Sequence, residues 1–258
     1  MDSLIDVVDD GGVRYLTLNR PGSLNALNSQ VLSELTALVQ GAERDRLHAV
    51  VIRGAGGRAF CAGADLDEII DLDISGAHAF IRRGQEAMAA IENSPVPVIA
   101  AVDGYALGGG FEMMLACHLV LATDRSSFGP PEANIGCIPG FGGTQRLMAA
   151  AGRAAAFHLM VTGLRIDADR AWQIGLLSEP PVPADRLDER IGEIAGRLAG
   201  FSRTGIHNIL EAGRRAVRPP ALEHEAALAA IAIASADGKE GIRAFAAKRK
   251  PHFGQDAS

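Results

Sequence analysis

Short apolar runs alternate with helical periodicity along the first half of the chain, and helical periodicity takes over in the second. Leu4–Asp9 and Val13–Leu18 are β-rich runs around Asp10-Gly11-Gly12, the pattern of a hairpin. Val31, Leu32, Leu35, Leu38, Val39 and Ala42 then recur at helical spacing within Ser29–Arg46, behind the capping residue Asn28. His48–Arg53 reads as a short buried strand that runs through the loop Gly54–Gly57 into Phe60–Asp65. Ala77–Asn93 predicts a helix stopped by Ser94-Pro95-Val96-Pro97, and Val98–Val102 a strand. Gly104–Gly110 reads as a glycine-rich turn, Phe111–Cys117 as a very apolar helix, and Leu119–Ala122 as another strand. Strands alternating with helices predict an α/β fold.

From Thr144 onward, periods near 3.6 predict helices over Arg146–Val161, Ala168–Ile174, Leu187–Ala199, His207–Ala216, Ala221–Ala236 and Glu240–Arg249. Ala221–Ala236 is apolar over more than one face and calls for burial on the core or on another subunit. No repeat of fixed period is visible.

Composition narrows the classes of function. With 258 residues, 48% of them hydrophobic and 22% charged, the chain has ample material for a core. A net charge of -6 gives no global attraction to nucleic acid or to an anionic membrane. Asp103, Glu112 and His118 break Val96–Leu121, the best candidate for a membrane span. Met1–Asp10 lacks a basic n-region followed by an apolar run, so no secretory signal is read. Cys61, Cys117 and Cys137 are an odd count without metal-ligand spacing. These features together suggest a cytoplasmic protein.

GxxxxGK[ST], GxGxxG, HExxH and GxSxG are all absent. Two acids remain in unusual settings. Glu112 is surrounded by apolar residues on every face of its helix, and an unpaired buried carboxylate costs several kcal/mol. It reads equally as a structural acid bonded to backbone or arginine and as a chemical group. Glu132, in Phe128-Gly129-Pro130-Pro131-Glu132, reads by itself as a solvated loop acid. Gly108-Gly109-Gly110 at the start of a helix and Cys61-Ala62-Gly63-Ala64-Asp65 after a strand are tight turns, which together could offer two amides to one oxyanion.

At these residues the sequence resembles the crotonase (enoyl-CoA hydratase/isomerase) family, from about Val13 to Phe253. The motifs are Asn19-Arg20-Pro21 with Asn25-Ala26-Leu27, Phe60–Leu66, Pro97–Gly110, Phe128–Glu132, Ile138–Leu147 and Ala244-Phe245 to Phe253. The resemblance implies a spiral of ββα units over residues 1–195 and a helical region over 196–258 that forms a homotrimer, usually doubled to a hexamer. It further implies an acyl-CoA thioester substrate, with coenzyme A entering as part of it; no metal or other cofactor is expected, since the sequence has neither a metal-spaced His/Cys/Asp cluster nor a dinucleotide motif.

By the same resemblance the amides of Ala64 and Gly109 stabilise a thioester enolate, Glu132 donates a proton to Cα, and Glu112 activates water. Substrate contacts fall on Ala62, Asp65, Leu66, Gly108, Pro131, Gly140 and Phe141, with Lys248 and Lys250 near the CoA phosphates. Filling both glutamate positions implies an enoyl-CoA hydratase. A double-bond isomerase, which typically lacks one acid, or another crotonase-family acyl-CoA lyase, and a non-catalytic acyl-CoA-binding protein are the alternatives. Four positions depart from the family pattern: His118 replaces an aspartate, Phe141 a small residue, and Asp67 and Glu68 stand where a lysine is frequent.

Overall fold

Two sheets of unequal character organise the chain. The computed structural model describes residues 3–214 together with Glu240, Ala244, Arg249, Lys250 and His252. The helix expected over Ala221–Ala236, Lys248, and most of 240–249 lie outside the described residues.

The first sheet has five strands in the order β1 (Ile5–Asp10), β2 (Val13–Leu18), β3 (Ala49–Gly54), β5 (Val98–Val102) and β7 (Leu119–Ala122). Only the β1–β2 hairpin is antiparallel. Its central strands are buried on both faces, which is why they read as continuous apolar runs. Along β3 the side chains alternate between two cores. Val50 and Ile52 join the main core with Leu32, Leu35, Met88 and Phe111. Ala49 and Val51 face the other way, toward Leu187 and Ile191 of helix α7 (Leu187–Ala199).

The second sheet has the order β4 (Ala59–Cys61), β6 (Tyr105–Leu107), β8 (Ser127–Gly129) and β9 (Ile166–Asp167), with the first three parallel. The chain leaves β3 for β4, β5 for β6 and β7 for β8, so each unit gives one strand to each sheet before turning into a helix. These are the ββα units of the expected spiral. They begin at Ala49, Val98 and Leu119, and their unequal lengths explain why no fixed period is visible in the sequence.

Helices form where periodicity predicts them among the described residues, with ends shifted by as many as six residues. Asn28 caps α1 (Ser29–Gln40) by accepting from Val31 N, and Asp73 caps α3 (Ile74–Glu92) by accepting from Gly76 N. Between them lies the single turn α2 (Leu66–Ile69), capped by Asp65. The helix α4 runs from Gly109 to Ala116, so the glycine triplet enters its first turn. A 3-10 turn spans Pro131–Ile135. Then follow α5 (Gly143–Thr162), broken by non-helical backbone at Gly152, α6 (Ala168–Gln173), α7, and α8 (Arg203–Gly213). No helix among the described residues is long and apolar enough to cross a membrane.

Candidate active site

Three parallel strands of the second sheet end at one place. In open α/β sheets the crevice beyond the carboxyl ends of the strands is where ligands bind. Beyond β4 come Ala62, Gly63 and Ala64; beyond β6, Gly108 and Gly109; beyond β8, Pro130, Pro131 and Glu132. All three segments carry residues that the sequence singles out.

The first two segments touch. A methyl group added at Gly109 would lie 3.4 Å from Ala64 N, and one added at Gly63 would lie 3.5 Å from Gly109 N. Leu27 N donates to Gly63 O and Asp65 N to Leu27 O, a parallel bridge that flanks Ala64 and turns its own N–H to the opposite side. Gly109 opens α4, where an amide has no intrahelical acceptor. Gly108 makes this junction with φ +51° and ψ -127°, backbone that a residue with a Cβ rarely adopts. Its N–H is spent on Gly129 O at 3.1 Å, which ties β6 to β8. The arrangement therefore brings two backbone donors beside each other at a helix N-terminus, a setting suited to a developing negative charge.

Glu112 lies one turn into α4 and is 2% exposed. The buried acid is anchored by backbone, one of the two settings open to it in the sequence. Its Oε1 accepts from Phe141 N at 2.8 Å and Gly143 N at 2.7 Å. Gly143 is the first residue of α5, so the carboxylate also caps the positive end of a second helix. Burial nevertheless pushes its pKa up to about 7, with the Glu132 charge adding to the rise and the two amides opposing it. With Oε1 held by two donors, Oε2 is the oxygen left for other work.

Glu132, in the 3-10 turn, is half-buried rather than a solvated loop acid. Burial raises its pKa too. Its Oε1 lies 3.1 Å from where a Cβ at Gly108 would stand, and its Oε2 is buried without a hydrogen-bond partner among the described residues. A buried oxygen left without a partner among the described residues has hydrogen-bonding capacity to spare. Two neighbouring carboxyl groups whose protonated forms are both favoured by burial can exchange protons with one small bound molecule.

The remaining predicted positions take varied places. The Asp65 carboxylate pairs with Arg20 at 2.7 Å and caps α2, so its side chain braces the Ala62–Asp65 loop. Leu66 is exposed at the start of α2, Pro131 opens the 3-10 turn, and the Gly140 carbonyl accepts from Gln85. The Phe141 ring is 2% exposed and lodged against Phe80, Gly84 and Gly109, while its amide holds Glu112. Lys250 is exposed, and the neighbouring Arg249 is engaged by Glu240 at 2.7 and 2.9 Å. His118 accepts from Val98 N through Nδ1 at 3.0 Å, and burial depresses its pKa to about 4, which suits a neutral structural imidazole. The sequence reading did not single out Gly143, Arg20, Arg146 or Gln85 for this site. Arg20, Gly143 and Arg146 lie inside the quoted motifs, the only signal available for them.

An α/β spiral with its crevice at the ends of the second sheet defines a protein of the crotonase class. Residues 9–256 match the family described as enoyl-CoA hydratase/isomerase. A crotonyl-CoA hydratase of Syntrophomonas wolfei is 37% identical over 242 residues, covering 92% of this chain and 93% of that protein. A short-chain-enoyl-CoA hydratase of Clostridium acetobutylicum is 35% identical over 245 residues, covering 93% and 94%. The crystal structure of an enoyl-CoA hydratase from Bacillus anthracis matches with a TM-score of 0.93 and 34% identity, over 98% of this chain and 100% of that one. The chain belongs to the enoyl-CoA hydratase/isomerase family.

Proposed function

We propose that this protein is an enoyl-CoA hydratase that adds water across the 2,3-double bond of an enoyl-CoA thioester. The observation that carries the reading is the pair Glu112 and Glu132, both withdrawn from water and electrostatically coupled beside two clustered amides. In this reading the thioester oxygen takes hydrogen bonds from Ala64 N and Gly109 N. Ionised Glu112 receives a proton from water through Oε2 as the water oxygen bonds to Cβ. For this step the proton that the pair shares must sit on Glu132, with Glu112 ionised against the Phe141 and Gly143 amides, and Glu132 then delivers it to Cα. The amides carry the charge that gathers on the thioester oxygen, a contribution of roughly 3 kcal/mol for each such donor in other enzymes. The two carboxyls end with their protonation reversed, and a proton transfer between them resets the site.

Steady-state hydration of crotonyl-CoA, followed by loss of the absorbance of the thioester-conjugated alkene, tests the reading. Turnover of a 3-enoyl-CoA to the 2-enoyl isomer without hydration would replace it with the isomerase, and binding without either reaction would replace it with a carrier. The proposed chemistry uses no metal or redox group, and activity should survive exhaustive dialysis against EDTA.

The proposed assembly is a trimer or hexamer of 27 kDa chains, to be measured by light scattering. It is supported by the resemblance and by exposed apolar side chains such as Val161 and Leu164.

A further inference from the structure

The turn that anchors Glu112 is itself held from behind. Gln85 of α3 donates Nε2 to the Gly140 carbonyl at 2.9 Å. That carbonyl shares a peptide plane with the Phe141 N–H, which donates to Glu112 Oε1 at 2.8 Å. In a trans peptide the C=O and N–H point in opposite directions. A pull on the carbonyl from α3 therefore aims the amide at Glu112. Arg82, one turn earlier on α3, donates Nη1 to Gln85 Oε1 at 2.8 Å. The result is an aligned chain from a cation at the surface, through Gln85 and one peptide, to the buried carboxylate. Bonds so aligned polarise one another in the same sense.

The next peptide is gripped in parallel. Arg146 donates Nη1 to the Phe141 carbonyl at 2.9 Å and Nη2 to Glu92, near the end of α3, at 2.7 Å. Arg146 sits in the first turn of α5, where a positive charge opposes the helix dipole and weakens the helix. Its place there is explained by what it holds. Gly142, with φ +103°, leaves room for it: a Cβ there would lie 2.3 Å from Arg146 Nη1.

We infer that Gln85, seconded by Arg146, is a positioning residue for Glu112, fixing the amide that orients and charges its carboxylate. The inference rests on the hydratase reading only through kcat. Gln85 is half-buried, so Gln85→Met, which keeps length and loses the donor, should fold. Its kcat for crotonyl-CoA should fall about fivefold to tenfold, the usual worth of one hydrogen bond, with KM within about twofold. The acid limb of its kcat–pH profile should move to higher pH, because a less well bonded carboxylate holds its proton more tightly. Gln85→Lys, which restores a donor of similar reach, should recover most of the loss.

A readout independent of turnover is the titration of the Glu112 carboxyl carbon by NMR, assigned by its absence in Glu112→Gln. That titration should also move up in Gln85→Met. If the wild-type protein hydrates no enoyl-CoA, the functional reading fails while the titration still decides the positioning role. An unmoved titration overturns the inference, whether kcat is unchanged or falls, since a fall without it would mark Gln85 as merely structural.

Discussion

Replacing Glu112 by Gln separates two consequences of burying this carboxyl. The amide oxygen of Gln can still accept from Phe141 N and Gly143 N, so the turn and the start of α5 should persist. What disappears is the ability to take a proton. The hydration kcat should then fall by roughly 10²-fold or more.

Stability should respond in the opposite sense. Lifting the carboxyl from 4.5 to about 7 makes its ionised form less favourable in the folded chain than in the unfolded one, by roughly 3 kcal/mol. A raised acid supports the fold below pH 4.5, and that support is lost as pH climbs through 7. Wild type should therefore lose stability relative to Glu112→Gln between about pH 4.5 and 8, and the variant should be the more stable protein above pH 8. Urea unfolding at pH 5 and pH 8.5, beside the crotonyl-CoA assay, measures both. A variant with near-full hydratase activity would refute the two-carboxylate mechanism. A stability difference that does not change with pH would refute the account of why Glu112 is charged with difficulty.

Glu132→Gln should lose roughly 10²-fold in kcat as well, by the usual size of an acid–base contribution. Full activity in the same assay would remove Glu132 from the chemistry. Gly84→Ala should destabilise by about 1–3 kcal/mol, since its Cβ would lie 2.2 Å from the Phe141 ring. Combining it with Phe141→Ala should cost less than the sum of the two single changes in urea unfolding, and strict additivity would show that the ring moves aside.

How much of this was legible in the sequence follows from the length of each interaction along the chain. The strands β3, β5 and β7 appear as apolar runs of four or more residues, β1 and β2 as β-rich runs around a glycine turn, and α7 is predicted at its observed bounds, because local pattern specifies such elements. The second sheet was invisible. Its strands are two or three residues long, too short to show alternation, and they exist only because β4, β6 and β8 pair with one another. Yet that sheet gathers the candidate site.

The same division holds for the acids. Apolar neighbours on all sides announce that Glu112 is buried. Its anchors at Phe141 and Gly143 lie 29 and 31 residues away and are backbone amides, which any residue except proline could supply. The sequence therefore carries no local trace of them. For Glu132, composition alone favoured a solvated loop, and only the family motif argued otherwise. What turned it from an exposed acid into a half-buried one is the position of Gly108 beneath it and of β8 beside β6. Burial of a single loop carboxylate is a property of what packs around it, and packing among segments distant in sequence is decided by the tertiary fold.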